Sequence, residues 1–321
     1  MRFLAISFLL TGLSFAEHNH LQNIPAGIMR SHTHEEGYGM VMYNTSHNVL
    51  NGVALNANYD ESTKGMAMGM DMFGGMYGFT DYFTLSGMIS YMNMKMDTQS
   101  ATVGDRSHTV SGFGDTQIDG MFRVLSTDDH HLQLNIGAIL PTGNVDAMHT
   151  MYANHGSGMH THKMKNAYNM QLGTGSLSLT PGISYTMNYE DVWQFGAQGN
   201  AVMRLHNNNN GYRFGDIYNI TSWIGNDIND MVSVSGRLDY TSIGAIHGQD
   251  LQISQSMSAL NVPGFTYREQ LTLLAGVNVN LYGAFHGTKI QAEIGTPLYQ
   301  RIASGIPSNI FVINAGLQYT F

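Results

Sequence analysis

The sequence predicts an all-β fold, a transmembrane antiparallel up-and-down β-barrel of about twelve strands, on three observations. The last eleven residues alternate, with Phe311, Ile313, Ala315, Leu317, Tyr319 and Phe321 interleaved by Val312, Asn314, Gly316, Gln318 and Thr320. Successive strand side chains point to opposite faces, so one face is apolar and aromatic and the other mostly small or polar. The same alternation recurs upstream, as in Leu132, Leu134, Ile136, Ala138 and Leu140 against Gln133, Asn135 and Gly137. Finally, short turns alternate with long polar loops, the rhythm of outer-membrane barrels.

Composition narrows the class further. Among 321 residues there is no Cys, so disulfides and thiolate metal sites are excluded. Charged residues make up 12%, about half the usual share of a soluble domain. A net charge of −9 offers no footprint for nucleic acid. Beyond the N-terminus no run of about 18 apolar residues occurs, which excludes helical spans. Residues 1–16 read as a signal peptide: Arg2, an apolar run from Phe3 to Leu13, and the small-x-small site Ser14-Phe15-Ala16.

Residues 17–35 form a polar tail rich in His (His18, His20, His32, His34), read as a periplasmic tail or a plug, and residues 36–321 are the barrel. Strands are expected at Tyr38–Tyr43, Met66–Phe79, Thr84–Met96, 112–125 and Leu132–Leu140, with long loops at 44–65, 97–109 and 141–169. The second half repeats the pattern with Met170–Met187, Trp193–Leu205, Tyr212–Gly225, Met231–Thr241, Tyr267–Tyr282, Lys289–Thr296 and Ile310–Phe321. A charge facing lipid near the midplane costs roughly 2–4 kcal/mol. Asp119, Arg123, Arg204, Arg237, Asp239, Lys289 and Glu293 all fall on the polar face, and so are expected in the lumen.

Two strands carry unusual chemistry among the 23 Met and 15 His of the chain. Met66, Met68, Met70, Met72 and Met76 share one face, opposite Phe73, Tyr77 and Phe79; Met88, Met92, Met94 and Met96 share a face of the next strand. The aromatic sets suit lipid, which puts nine thioethers on the lumen, with Met121, Met40 and Met42 extending the patch. Thioethers select Cu(I) or Ag(I). Sulfurs on one strand recur about 7 Å apart, so a metal site would need two neighbouring strands. The long third loop interleaves His149, His155, His160 and His162 with Met148, Met151, Met159 and Met164, a mixture that suits copper better than zinc. The alternative is a flexible apolar lining that grips a lipophilic solute.

No G-x-S-x-G, H-E-x-x-H, P-loop or helix-opening G-x-G-x-x-G occurs, and Ser184, Ser222 and His247 form no arrangement that supports hydrolysis. The terminal Tyr319 and Phe321 resemble the closing signature of outer-membrane barrels. Met66–Tyr77 (MAMGMDMFGGMY), Gly112–Val124 (GFGDTQIDGMFRV), Leu134–Gly143 (LNIGAILPTG), Met170–Tyr185 (MQLGTGSLSLTPGISY), Gly211–Trp223 (GYRFGDIYNITSW) and Pro297–Gln300 (PLYQ) resemble one family of such barrels, transporters of the meta-pathway of phenol degradation. The resemblance implies passage of small aromatic compounds and brings no catalytic residues. The expectation is a non-enzymatic channel of the outer-membrane bilayer carrying a small-molecule or metal-ion solute. The alternative is a surface metal-binding barrel with a closed lumen.

Overall fold

The computed structural model describes residues 24–53, 58–100, 104–154, 159–190 and 192–321; the expected signal peptide and the start of the tail lie outside them. Among the described residues, twelve antiparallel staves close into one barrel. They are β1 (Gly39–Asn51), β2 (Glu61–Thr80), β3 (Phe83–Ser100), β4 (Gly104–Phe113 continued by Thr116–Ser126) and β5 (His130–Leu140). Then come β6 (Ser178–Leu179 continued by Gly182–Tyr189), β7 (Trp193–Arg204), β8 (Ile217–Asp227), β9 (Val232–Ile243), β10 (Arg268–Asn280), β11 (Thr288–Ile302) and β12 (Asn309–Thr320). Each stave pairs with the next, and β12 returns to pair with β1 from Met40↔Thr320 to Leu50↔Asn309. The seam is capped by reciprocal bonds between Gly39 and Phe321, N–H to carbonyl at 2.9 Å each way. A Cβ at Gly39 would stand 2.8 Å from the tip of the exposed Phe321 ring, so the glycine lets that ring lie close over the seam.

Several staves run past their expected bounds. Loops 44–65 and 97–109 are largely hairpin: β1 reaches Asn51, β2 starts at Glu61, β3 reaches Ser100 and β4 starts at Gly104. The alternation in β4 is broken at Gly114-Asp115, so inward residues are even before the break (His108, Val110) and odd after it (Asp119, Met121). That change of phase is what hid the first half of the strand. β11 likewise continues beyond Thr296, through a bulge opposite Leu271–Thr272 that accommodates Pro297. Conversely, Met170–Leu177 is not strand. Tyr168–Met170 form a 3-10 turn, and the loop before it holds a hairpin, Met148–Asn154 with Met159–Lys165. Tyr212–Arg213 pair with His247–Gly248 between two loops rather than in the wall.

The outer face is apolar across the bilayer band, with Phe73, Ile89, Ile136, Ile220, Ile294 and Leu317 all exposed. Inside are Asp119, Arg237 and Glu293, buried as their phase requires. Lys64, Asp71, Lys95, Asp97 and Asp105 instead project outward, all at or beyond the level of Tyr43–Phe73 and Tyr91–Phe113, whose ring centroids stand 5.0 and 5.4 Å apart. These rings mark the outer aromatic girdle, so β1–β4 continue above the membrane by roughly 25–40 Å of strand at about 3.3 Å per residue. Deleting Phe321 removes both the seam cap and its ring. The fraction of heat-modifiable, membrane-inserted barrel should drop several-fold against the parent, and unchanged levels would show that the cap is dispensable.

Candidate functional site: a methionine-lined lumen closed at both ends

The tail is a plug in the described structure, threaded into the inner half of the lumen. Its anchor is Arg30, in the left-handed region at φ 57°, a conformation uncommon for residues other than Gly. The Arg30 carbonyl accepts from Gln133 (2.5 Å), Asn135 (2.9 Å) and Gln198 (3.3 Å), and its guanidinium pairs with Asp119 at 2.7 Å. Four amide and charge contacts outweigh the strain of one residue. Gln198 also donates to the Met29 carbonyl (2.8 Å), Arg123 to Thr33 (2.9 Å), and Thr84 accepts from the His34 N–H (2.8 Å). Ile24 and Ile28 pack on Trp223. Gly27 lies against the Arg237–Glu293 ion pair, leaving no room for a Cβ.

These hydrogen bonds run to Gln133 and Asn135 of β5 and Gln198 of β7, and also to Asp119 and Arg123 of β4 and Thr84 of β3. Met29 packs into a cluster of Met40, Met42, Met76 and Met121, and Asn44 donates an N–H to its sulfur at 3.5 Å. Met66, Met94 and Met96 form the outer end of the same stripe. They pack under loop residues Met170, Leu172, Leu260 and Ile306, with Met68 and Met92 at the margin. Met68, Met70, Met72, Met88 and Met92 are only partly buried, between the two closures. Register sets Met66 opposite Met96, Met68 opposite Met94 and Met70 opposite Met92. Directly opposed strand residues have Cβ atoms about 4.5–5.5 Å apart, so the sulfurs that one strand could not bring together meet as cross-strand pairs. Met72 faces Ser90, Met76 faces Ser86 and Met88 faces Gly74.

The outer closure is a clamp between loops. Lys165 ends the loop hairpin with its ammonium buried and 2.5 Å from both Asp146 and Asp250. Burial depresses its pKa, but the two carboxylates outweigh that and hold it above the ordinary lysine value. Asn210 donates to Asp146 (3.0 Å), and Tyr168, edge-on to Tyr212 at 4.9 Å, accepts from the Asp250 N–H (3.0 Å). Three loops are thereby tied across the mouth. Nothing in the sequence marked Lys165 beyond its charge in an expected loop.

The loop histidines do not gather. His149 stacks on His108 of β4, centroids 4.7 Å apart, and bonds Asn166 at 2.6 Å. His162 is exposed; of His160 only the backbone pairing with Ala153 is described, and His155 lies outside the described residues. Among the described residues no three His, Asp or Glu side chains come together as a metal site. Ser184 faces the lumen and Ser222 the lipid side, so they share no site.

A closed, lipid-faced, twelve-stave barrel defines the class: this is an outer-membrane β-barrel. Residues 61–294 match the family described as "Putative MetA-pathway of phenol degradation", and the chain belongs to that family. An outer membrane channel from Pseudomonas putida F1 shares the fold with TM-score 0.60 at 15% identity, over 91% of this chain and 98% of that one. The β domain of the Bordetella autotransporter Brka matches at TM-score 0.51 and 12% identity, over 88% and 99%. No curated protein matches the sequence.

Two measurements test the closures. Burial, then the neighbouring His34 and Lys289, lowers His32 to about 3, and burial with Arg123 lowers His34 to about 4. Both values lie below the ordinary 6.5, so docking favours neutral rings: its full strength holds above about pH 6.5 and is lost as pH falls toward 4. Cleavage of the tail by added protease should rise across that window in the parent and stay flat in a His32→Gln/His34→Gln variant. At the mouth, Lys165→Met strands Asp250, buried, without its cation. Losing one partner of a buried pair costs about 3–5 kcal/mol, so single-channel conductance should rise, and Lys165→Met/Asp250→Leu should recover part of the closure.

Proposed function

We propose that the barrel is a gated passage for small lipophilic solutes, aromatic ones foremost, running along the methionine wall. One observation carries it: by register the thioether stripe runs from the inner cluster at Met29 to the outer cluster under Leu260 and Ile306, whereas the plug's Arg30 carbonyl is anchored on Gln133, Asn135 and Gln198 of β5 and β7. A path between plug and methionines leaves that anchor in place and breaks chiefly the bonds of His34 to Thr84 and of Thr33 to Arg123. Thioether sulfur attracts aromatic rings by about 0.3–1.5 kcal/mol each, and Asn44, Asn48 and Ser46 of β1 supply partners for a phenolic hydroxyl. The family description, which names phenol degradation, agrees with this chemistry.

A soft-metal reading keeps the support of four opposed methionine pairs, Met66/Met96, Met68/Met94 and Met70/Met92 between β2 and β3 and Met40/Met76 between β1 and β2. Replacing Met68, Met70, Met92 and Met94 together by Leu separates the two. Such swaps usually cost less than about 1.5 kcal/mol in packing, and the apolar lining survives. Uptake of labelled phenol by cells carrying the Lys165→Met background should then stay within about threefold of the parent, given the modest sulfur–ring energy. Met70→Asp/Met92→Asp should abolish it. Uptake no faster than in cells without the barrel would sink the aromatic reading, and copper or silver accumulation lost only in the Leu variant would put metal in its place.

A further inference from the structure

Separately from that passage, we propose that the outer tip of the methionine wall is a closed soft-metal site for Cu(I) or Ag(I), formed by Met66, Met96, His108 and His149. Three of the four are neighbours by register, since Met96 of β3 stands directly opposite Met66 of β2 on one side and His108 of β4 on the other. Opposed Cβ atoms lie about 4.5–5.5 Å apart, so one ion can span the row. All three side chains face inward, and both methionines are buried in the same cluster. The fourth ligand arrives from the loop hairpin, where the His149 ring lies over His108 with centroids 4.7 Å apart.

Two observations beyond proximity point to a ligand. The His108 Nε2 is buried and has no hydrogen-bond partner, an orphan that native interiors rarely leave. His149 is held through Nδ1 by the Asn166 amide oxygen at 2.6 Å. With that oxygen accepting, the proton sits on Nδ1 and Nε2 keeps its lone pair. Metal-binding imidazoles are oriented by an outer hydrogen bond of this kind. The sulfurs are also not surrounded by hydrocarbon alone: Thr63 donates to Met96 at 3.7 Å and Asn169 to Met66 at 3.4 Å, while the Asn169 oxygen is buried and unpaired.

Two neutral imidazoles and two thioethers match a soft monovalent ion, for which no proton competes at sulfur. Harder divalent ions want carboxylates; Glu61 is paired with Arg106 at 3.8 Å, and Asp97 belongs to the outward face of β3. The tip stands beyond the Tyr91–Phe113 girdle and above the Met68, Met70, Met92 and Met94 rungs, so it is open to test without disturbing them.

The experiment measures Cu(I) and Ag(I) binding to the purified full barrel against a chromogenic chelator. His18, His20, His155, His160 and His162 are changed to Gln throughout, to silence other imidazoles. Expected is one ion per barrel, with sulfur and nitrogen neighbours in its X-ray absorption spectrum. Met66→Leu/Met96→Leu and His108→Gln should each weaken binding more than the roughly 10–100-fold that loss of an outer partner costs, and Asn166→Ala should weaken it by about that amount. His149→Gln changes only the loop hairpin, so it remains informative if a wall variant fails to assemble. The Met68/Met70/Met92/Met94 Leu variant should bind like the parent. No binding in the His-reduced parent, undiminished binding after His149→Gln, or loss confined to that four-Leu variant would each overturn the site. None of these results bears on phenol uptake, which is read separately.

Discussion

In hydrocarbon no water meets the backbone, so every N–H and C=O within the bilayer must be paired by the chain itself. The seam between Gly39–Asn51 and Asn309–Thr320 is therefore the contact on which the rest of the structure depends. Once it closes, strand number sets the bore. Twelve staves enclose a space a few side chains wide, so whatever enters must share it with the lining. The plug and the inward-folded loops follow from that scarcity of room, and Gly27 shows how tight it is.

The two sides of the lumen solve burial differently. On the polar side each charge is tied: Asp119 receives Arg30, Gln117 and Thr180, and Arg237 joins Glu293 and Asp239, with Asn314 completing the Glu293 shell. A lone buried charge would cost several kcal/mol, so such networks are satisfied or absent. These bonds are directional and hold the plug in one place. On the methionine side contact is dispersive and tolerant, since thioethers have many rotamers and little polarity. One wall specifies a position and the other permits sliding. A channel that must be closed and yet passable uses both.

How much of this was legible in the sequence depends on whether a property is periodic. The stave count, the lipid and lumen faces, and the nine inward methionines follow from alternation alone, because a strand offers only two directions. Register is not periodic in that sense. That Met70 faces Met92 rather than Ser90 depends on the length of the turn between β2 and β3, and it changes what the sulfurs can do. Breaks in phase hid whole segments: Gly114-Asp115 concealed the half of β4 that carries His108, and the Pro297 bulge shortened β11 in the reading. The Lys165 clamp was invisible because its partners lie 19 residues away in the same long loop and 85 residues away in another.

The chemistry of the closures also decides the order in which conditions reach them. The inner one depends on imidazoles that must remain neutral beside Arg123 and Lys289, so mild acid acts on it directly. The outer one depends on an ammonium and two carboxylates, of which Asp146 is held below the usual carboxylate range chiefly by its hydrogen bond from Lys165. Acid therefore acts on the periplasmic end through His32 and His34, whereas the extracellular end is held by an ion-paired ammonium. The two ends are thus closed by different chemistry, neutral imidazoles in the plug and an ion-paired ammonium between the loops.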